Sequence, residues 1–285
     1  CAGAGTDAPD HEGEDHEANQ REVDAAVQFA KAYSDIVKVI AVGNEAMVRW
    51  AVAYYVQPKV VLKWVQHFQA LKQAGEIESE IWVTSSDNFA SWGGGEVRYQ
   101  TPTLDALILA VDFVSMHTYP FHDTHYNPAF WSDILDEGNA QAPQADVSAR
   151  MARAAAYAQD QYASTKRYVS RIDPGKAIHI GETGWASVDN GFYGLSGSNA
   201  AGERQQQLYF ELMTAWARAA GVVLVLFEAF DEPWKDAKNP GGSENHFGLI
   251  DRQNRAKRVL WTEHDAGALQ GLTRGGRPIV RSDAP

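Results

Sequence analysis

The sequence predicts an α/β protein built on a parallel sheet wrapped by helices, and among such folds the (β/α)8 TIM barrel. Three observations carry that prediction. Short apolar, β-branched runs alternate with helical periods along the chain. The runs are apolar on both faces, as strands of buried parallel sheets are. Five of them in succession end in polar, reactive residues: Asn44 and Glu45, then Asp87 and Asn88, then His117 and Tyr119, then Glu182, then Glu228 and Asp231. In a barrel of this kind the C-terminal strand ends build the active site. A doubly wound sheet places ligands only at a switch point, so five loaded strands favour the barrel.

Residues 1–20 are polar, glycine-rich and acidic, and read as loop. Over 21–34, Val23, Ala26, Val27, Ala30 and Tyr33 share one helical face. The run 35–45 is a strand that ends in Gly43-Asn44-Glu45. Pro58 opens a helix, where proline suits the first turn, and Val61, Trp64, Val65, Phe68 and Leu71 line one side of it. Residues 80–86 form a strand running into Asp87-Asn88, and a short helix near 103–110 leads to a strand over 112–121. An alanine-rich helix covers about 145–170, Asp173-Pro174-Gly175 turns, and a strand over 177–185 carries Glu182. A helix over 203–221 aligns Leu208, Leu212, Ala215 and Trp216 and stops at glycine; a last strand spans 222–235.

Composition narrows the function. The 285 residues are 45% hydrophobic, as in one ordinary globular domain or at most two small ones. The net charge of −12 argues against a nucleic-acid partner, which needs a basic face. No run reaches the ~18 apolar residues of a membrane span. The single cysteine, Cys1, excludes an intramolecular disulfide and a multi-thiolate metal site, and no base partner marks it as a nucleophile. His11, Glu12, Asp15, His16 and Glu17 crowd one stretch, but their spacing matches no metal motif and reads as solvated loop. Gly93-Gly94-Gly95 lacks the lysine of a phosphate loop. The opening residues have neither the basic nor the apolar region of a signal peptide. Nine Trp, eleven Tyr and eleven Phe supply a core and enough surplus to pave a cleft.

Glu45 and Glu182 stand out from the other acids. Each follows a glycine-containing strand end, V-G-N-E and I-G-E-T-G-W, from which a carboxylate points into a barrel mouth. A lone glutamate at a strand end is more often ion-paired than catalytic. Two facing one cleft among aromatics are the minimal apparatus for cleaving a glycosidic bond: one protonates the leaving oxygen, the other attacks the anomeric carbon or activates water.

The strings VIAVGNEAMVRW, SSDNFASW, VSMHTYPF, IGETGWAS and FEAFDEPWKDAKNPGGSENHFGLID, in this order across about residues 20–252, resemble glycoside hydrolase family 17. That family comprises β-1,3-glucanases and β-1,3-glucanosyltransferases, and the likeness is to its bacterial and fungal cell-wall branches. The resemblance implies Glu45 as acid/base at the end of barrel strand 4 and Glu182 as nucleophile at the end of strand 7. It implies retention of configuration, with the two carboxyls ~5–5.5 Å apart. Asn44 would bond the sugar 2-hydroxyl, and Glu232, Lys235 and Glu244 form a charged trio near the acid/base, with a surface salt-bridge network as the plainer reading. Tyr119 and Phe247 would line the cleft. Phe89, Trp92, Trp185 and Trp234 are candidate stacking platforms, each as readily core. Asp87 and Asn88 hold hydroxyls or cap the strand exit. His117 contacts substrate, His122 and His125 lie on the rim, and Glu228 is a buried supporting carboxylate. No cofactor or metal is required.

One expectation follows from position. A barrel takes ~31 residues per strand-helix unit, so ~80–90 should precede the end of strand 4. Only a loop and one helix precede Glu45. The chain is therefore expected to cover strands 4–8 and to lack strands 1–3, which a missing N-terminal segment or a second chain would supply. Residues 1–252 would be a partial catalytic domain and 253–285 a C-terminal extension in which RPIVRS offers one short strand. The expected activity is retaining hydrolysis of β-1,3-glucan. The alternatives are glucanosyl transfer at the same site and a truncated, non-catalytic glucan-binding protein. Polymeric substrates of this kind lie outside the cytoplasm, so a secreted or cell-envelope location is expected.

Overall fold

The computed structural model describes residues 11, 13–132 and 147–283. Cys1, Ala8-Pro9, Glu12 and the first two residues of the expected 145–170 helix lie outside them. The chain divides into two compact units, one of Cys1–Thr118 with Asp160–Gly181, the other of Tyr119–Gln159 with Glu182–Pro285. The strands β1 (Val39–Asn44), β2 (Trp82–Asn88), β3 (Val114–His117), β4 (Ile178–Thr183) and β5 (Leu224–Leu226) follow one another in sequence order in a five-stranded sheet. The fold is α/β, and the alternation read from the sequence is the alternation observed.

In the first unit, α1 (His16–Ala32) begins inside the stretch read as loop. The cause is Asp15, whose carboxylate accepts from Ala18 N at 3.0 Å and caps the helix, so the crowded acids are helix-start chemistry. β1 pairs parallel with β2, and β2 with β3. Helix α2 (Pro58–Gln73) buries Val60, Val61, Trp64, Val65 and Phe68, and α3 (Pro102–Ala110) buries Leu104, Leu107 and Ile108. The strands are apolar on both faces but not covered on both: Val39 and Trp82 stay about half exposed. The expected strand over 112–121 stops at His117, because Pro120 opens α4 (Pro120–Tyr126), which belongs to the second unit. The glycine run 93–95 serves packing. Gly93 has φ 82° and lies against the Tyr168 ring of α5 (Val147–Ile172), where a Cβ would collide.

In the second unit, α6 (Glu203–Ala220) buries Tyr209 and Met213. The strand expected over 222–235 is only three residues long. Beyond it the backbone bonds go elsewhere: Phe227 N donates to Thr183 O, while Leu249 N donates to Glu228 O and Asp231 N to Ile250 O. The C-terminal stretch packs on that segment. β6 (Arg255–Ala256) pairs with β9 (Val280–Arg281), β7 (Thr273–Arg274) with β8 (Arg277–Pro278), and α7 (Trp261–Asp265) lies between. Ile250, Ala256, Val259 and Leu260 form a core against Phe210, Phe230, Leu249, Leu269 and Ile279.

Candidate active site

Glu45 lies one residue past β1 with φ 47°, a left-handed conformation that a side-chain-bearing residue adopts only when its surroundings enforce it. Three bonds do so. Glu45 N donates to Ser86 O at 2.9 Å, Val56 N closes the following loop onto Ala46 O at 2.8 Å, and Met47 N donates to Asp87 Oδ2 at 2.8 Å. The Glu45 side chain is about one-third exposed, and its Oε1 lies 3.0 Å from Nδ1 of fully buried His117. The other ring nitrogen, Nε2, is 2.6 Å from Ser86 Oγ, itself 2.9 Å from Ser115 Oγ. An ionised Glu45 fits the tautomer with the proton on Nδ1: that N–H donates to the carboxylate and Nε2 accepts from the Ser86 hydroxyl. The register of β2 on β3 sets this chain, because it pairs Ser86 with Ser115 and Asn88 with His117. Gly181 keeps the space beside Ser115 Oγ, which a Cβ would fill.

Asp87 is completely buried and also accepts from Asn88 N at 2.8 Å. Burial pushes its carboxyl up to about 6, against the opposing bonds from Met47 and Asn88, with the nearby Glu45 charge raising it further. The folded protein thus holds the Asp87 proton more tightly than the unfolded chain does. Stability from this group is present below about pH 4 and is lost as pH rises through about 6, a cost of up to about 3 kcal/mol. Asp87→Asn, which keeps an acceptor for Met47 N, is expected to flatten the decline of Tm between pH 4 and 7 relative to the unsubstituted protein, as followed by circular dichroism. An unchanged decline would contradict the assignment.

In the second unit, Glu182 projects from the end of β4, and its Oε2 accepts from Tyr119 Oη at 2.8 Å. The Tyr119 ring stands edge-on to Phe227 and Phe247, with centroids 6.0 and 6.1 Å away. Packing therefore fixes the hydroxyl that holds the carboxylate. A hydrogen bond to a charged group contributes ~1.5–3 kcal/mol, so Tyr119→Phe is expected to lower Tm by several degrees and, with the carboxylate no longer held, to lower kcat/KM roughly 10- to 100-fold.

Lys235 gathers two carboxylates, Glu228 Oε2 at 2.9 Å and Glu232 Oε2 at 3.2 Å, and its ammonium stands 3.8 Å over the Phe227 ring. Burial raises the Glu228 carboxyl to about 7, with Lys235 opposing and the Glu232 charge adding to the rise. Its Oε1 is buried without a hydrogen-bond partner among the described residues. Burial alone would lower the Lys235 ammonium, but Glu228 and Glu232 outweigh it and hold the group above its ordinary value.

Several expected contacts are corrected. Of the candidate platforms, Trp92 and Trp185 are 0% and 1% exposed and take the core reading, and Phe247, expected to line the cleft, is 1% exposed. The Trp92 indole donates to Ser115 O and that of Trp185 to Ala200 O, while Phe247 packs on Phe121, Tyr119 and Phe227. Asp87 and His117 are sealed from solvent and act on Glu45 and its loop rather than on a sugar. Asn88 caps the strand exit through Ala90 N. In the charged trio, Glu228 takes a place on Lys235 beside Glu232, while Glu244, on a helical turn over Ser243–Asn245, lies 4.0 Å from His122 Nε2. Asn44 and Trp234 are exposed and Phe89 is half-buried. His125 stacks on Phe192, with centroids 4.2 Å apart. Ser86 and Ser115 were missed; the available signal was a serine two residues before Asn88 on one strand and two before His117 on its neighbour. Among the described residues no group of three or more His, Cys, Asp or Glu is arranged to hold a metal ion, and no helix is long and apolar enough to cross a membrane.

Glu45 in the first unit and Glu182 in the second are each partly accessible and each bonded to a neighbouring side chain. The model of the BtgE/BtgC glycoside hydrolase domain matches residues 7–248. The chain superposes on the crystal structure of an endo-laminarinase from Formosa Hel1_33_131 with a TM-score of 0.91. That match has 50% identity and covers 99% of this chain and 72% of that one. A β-1,3-glucanosyltransferase of Rhizomucor miehei, solved as an active-site mutant with laminaritriose, shares the fold at a TM-score of 0.57 and 19% identity, over 86% of this chain and 71% of that one. A glucan 1,3-beta-glucosidase of Arthroderma benhamiae is 26% identical over 248 residues, 85% of this chain and 67% of that protein. With that family model spanning most of its length, the chain belongs to the BtgE/BtgC glycoside hydrolase family.

Proposed function

We propose that the protein is a β-1,3-glucanase that cleaves laminarin-type chains internally and retains the anomeric configuration. The observation that carries the reading is the 50% identity, over nearly the whole chain, to an endo-laminarinase. The mechanism assigns roles by environment. Glu182, steadied by the Tyr119 hydroxyl, attacks C1 of the sugar, and Glu45 gives its proton to the departing glycosidic oxygen. Glu45 then takes a proton from water, the hydroxide so formed attacks C1, and the Glu182 ester bond breaks to release the sugar. His117 donates a hydrogen bond to the ionised Glu45 and so holds it ready for that second step. Asn44, Trp234, Glu228, Glu232 and Lys235 are the groups proposed to meet the glucan.

In this reading β1 to β5 occupy the places of strands 4–8 in a (β/α)8 barrel, and the enzyme works outside the cytoplasm, where its polymer lies. Laminarin incubated with the protein is expected to give early laminari-oligosaccharides of several lengths, with the β anomer appearing first by proton NMR. Early α anomer would overturn retention. Glucose alone, or chains longer than the substrate, would overturn internal hydrolysis.

A further inference from the structure

We infer that Lys257 is a positioning residue of the active site, so that the functional unit extends past residue 248, where the family match ends. The inference rests on the glucanase reading and adds a residue to it.

The Lys257 side chain is 5% exposed, and its ammonium makes three contacts: Asp231 Oδ1 at 2.7 Å, Ser187 Oγ at 2.8 Å and His246 O at 3.3 Å. Those partners come from three separate segments. Ser187 is on the exit of β4, five residues beyond Glu182. Asp231 immediately precedes Glu232, and His246 immediately precedes Phe247. The segments are also tied to each other, since Ser187 N and Oγ both donate to His246 O, at 3.0 and 3.1 Å. Asp231 is itself buried, with His246 Nδ1 3.7 Å from its second oxygen. Burial disfavours the charged lysine, and Asp231 opposes that.

A buried lysine is expensive to retain where apolar packing would serve. This one sits where the loops behind the Glu182 side of the chemistry converge. Through His246 it fixes Phe247, whose ring stands edge-on to Tyr119, whose hydroxyl holds Glu182. Through Asp231 it fixes the start of the segment that carries Glu232 and Lys235.

The test separates positioning from stability. Lys257→Met alone strands a buried carboxylate and is expected to lower Tm sharply. Lys257→Met with Asp231→Asn removes both charges and is expected to recover most of that Tm. The double variant, assayed well below its Tm, is expected to lose at least tenfold in kcat on laminari-oligosaccharides, with KM changed less than threefold. Lys257→Arg keeps the charge but puts a larger, planar guanidinium in place of the compact ammonium; it is expected to fold, to alter the geometry of the three contacts and to lose kcat in the same sense. A folded double variant or Lys257→Arg with unaltered kcat would overturn the inference and leave the glucanase reading intact. An unsubstituted protein that folds but does not cleave laminarin would overturn that reading itself. Should the double variant not fold, Lys257→Arg decides.

Discussion

Glu182→Gln is expected to lower kcat on laminarin by on the order of 10^5-fold or more, the scale on which removal of a covalent nucleophile acts in other hydrolases. The amide keeps the shape of the side chain and an oxygen for the Tyr119 hydroxyl, so folding should be unaffected. What disappears is the anionic oxygen that forms the bond to C1. A smaller side chain sharpens the test. In Glu182→Ala, azide fills the vacated space and attacks from the same face, so an aryl β-glucoside is expected to yield the α-glycosyl azide. A Glu182→Gln protein with more than a hundredth of normal activity would remove the residue from the nucleophile role.

Glu45→Gln is expected to act differently. General acid catalysis contributes ~10²–10⁴-fold, and the loss should fall in that range on laminarin, whose leaving hydroxyl needs a proton. A dinitrophenyl glucoside needs none, so its first step should be nearly normal, while the second is slow because no base activates water. A burst of dinitrophenol followed by slow turnover is the expected trace. Azide should relieve the slow step and give the β-glycosyl azide, the opposite anomer from the Glu182 variant. If the two anomers came out exchanged, the two roles would be exchanged with them.

The parts that were legible in the sequence share a cause. A buried strand announces itself by β-branched residues, and the polar residue that breaks the run marks its exit, so Glu45 and Glu182 could be placed from local pattern alone. What failed depended on partners distant in sequence. Trp92 and Trp185 lie within the strings that resemble the family, but a local string does not show that each indole N–H finds a backbone carbonyl inside the fold. The run 222–235 has strand composition throughout, yet after Leu226 its hydrogen bonds pass to residues 247–250, which composition does not reveal. The His117–Ser86–Ser115 relay needs the register of two strands, and Lys257 needs three loops brought to one point. In both units the pattern located a glutamate at a strand end, and tertiary contacts supplied what holds it.

The account turns on a covalent bond between Glu182 and the sugar, and trapping that bond tests it most directly. A 2-deoxy-2-fluoro laminaribioside with a good leaving group slows the second step more than the first, so the intermediate should accumulate. Intact-mass measurement is expected to show one added fluorinated disaccharide per chain. Peptide mapping should place it on Glu182, and the adduct should form far more slowly in Tyr119→Phe. An adduct on Glu45, or an active enzyme inactivated with no adduct at all, would contradict the account.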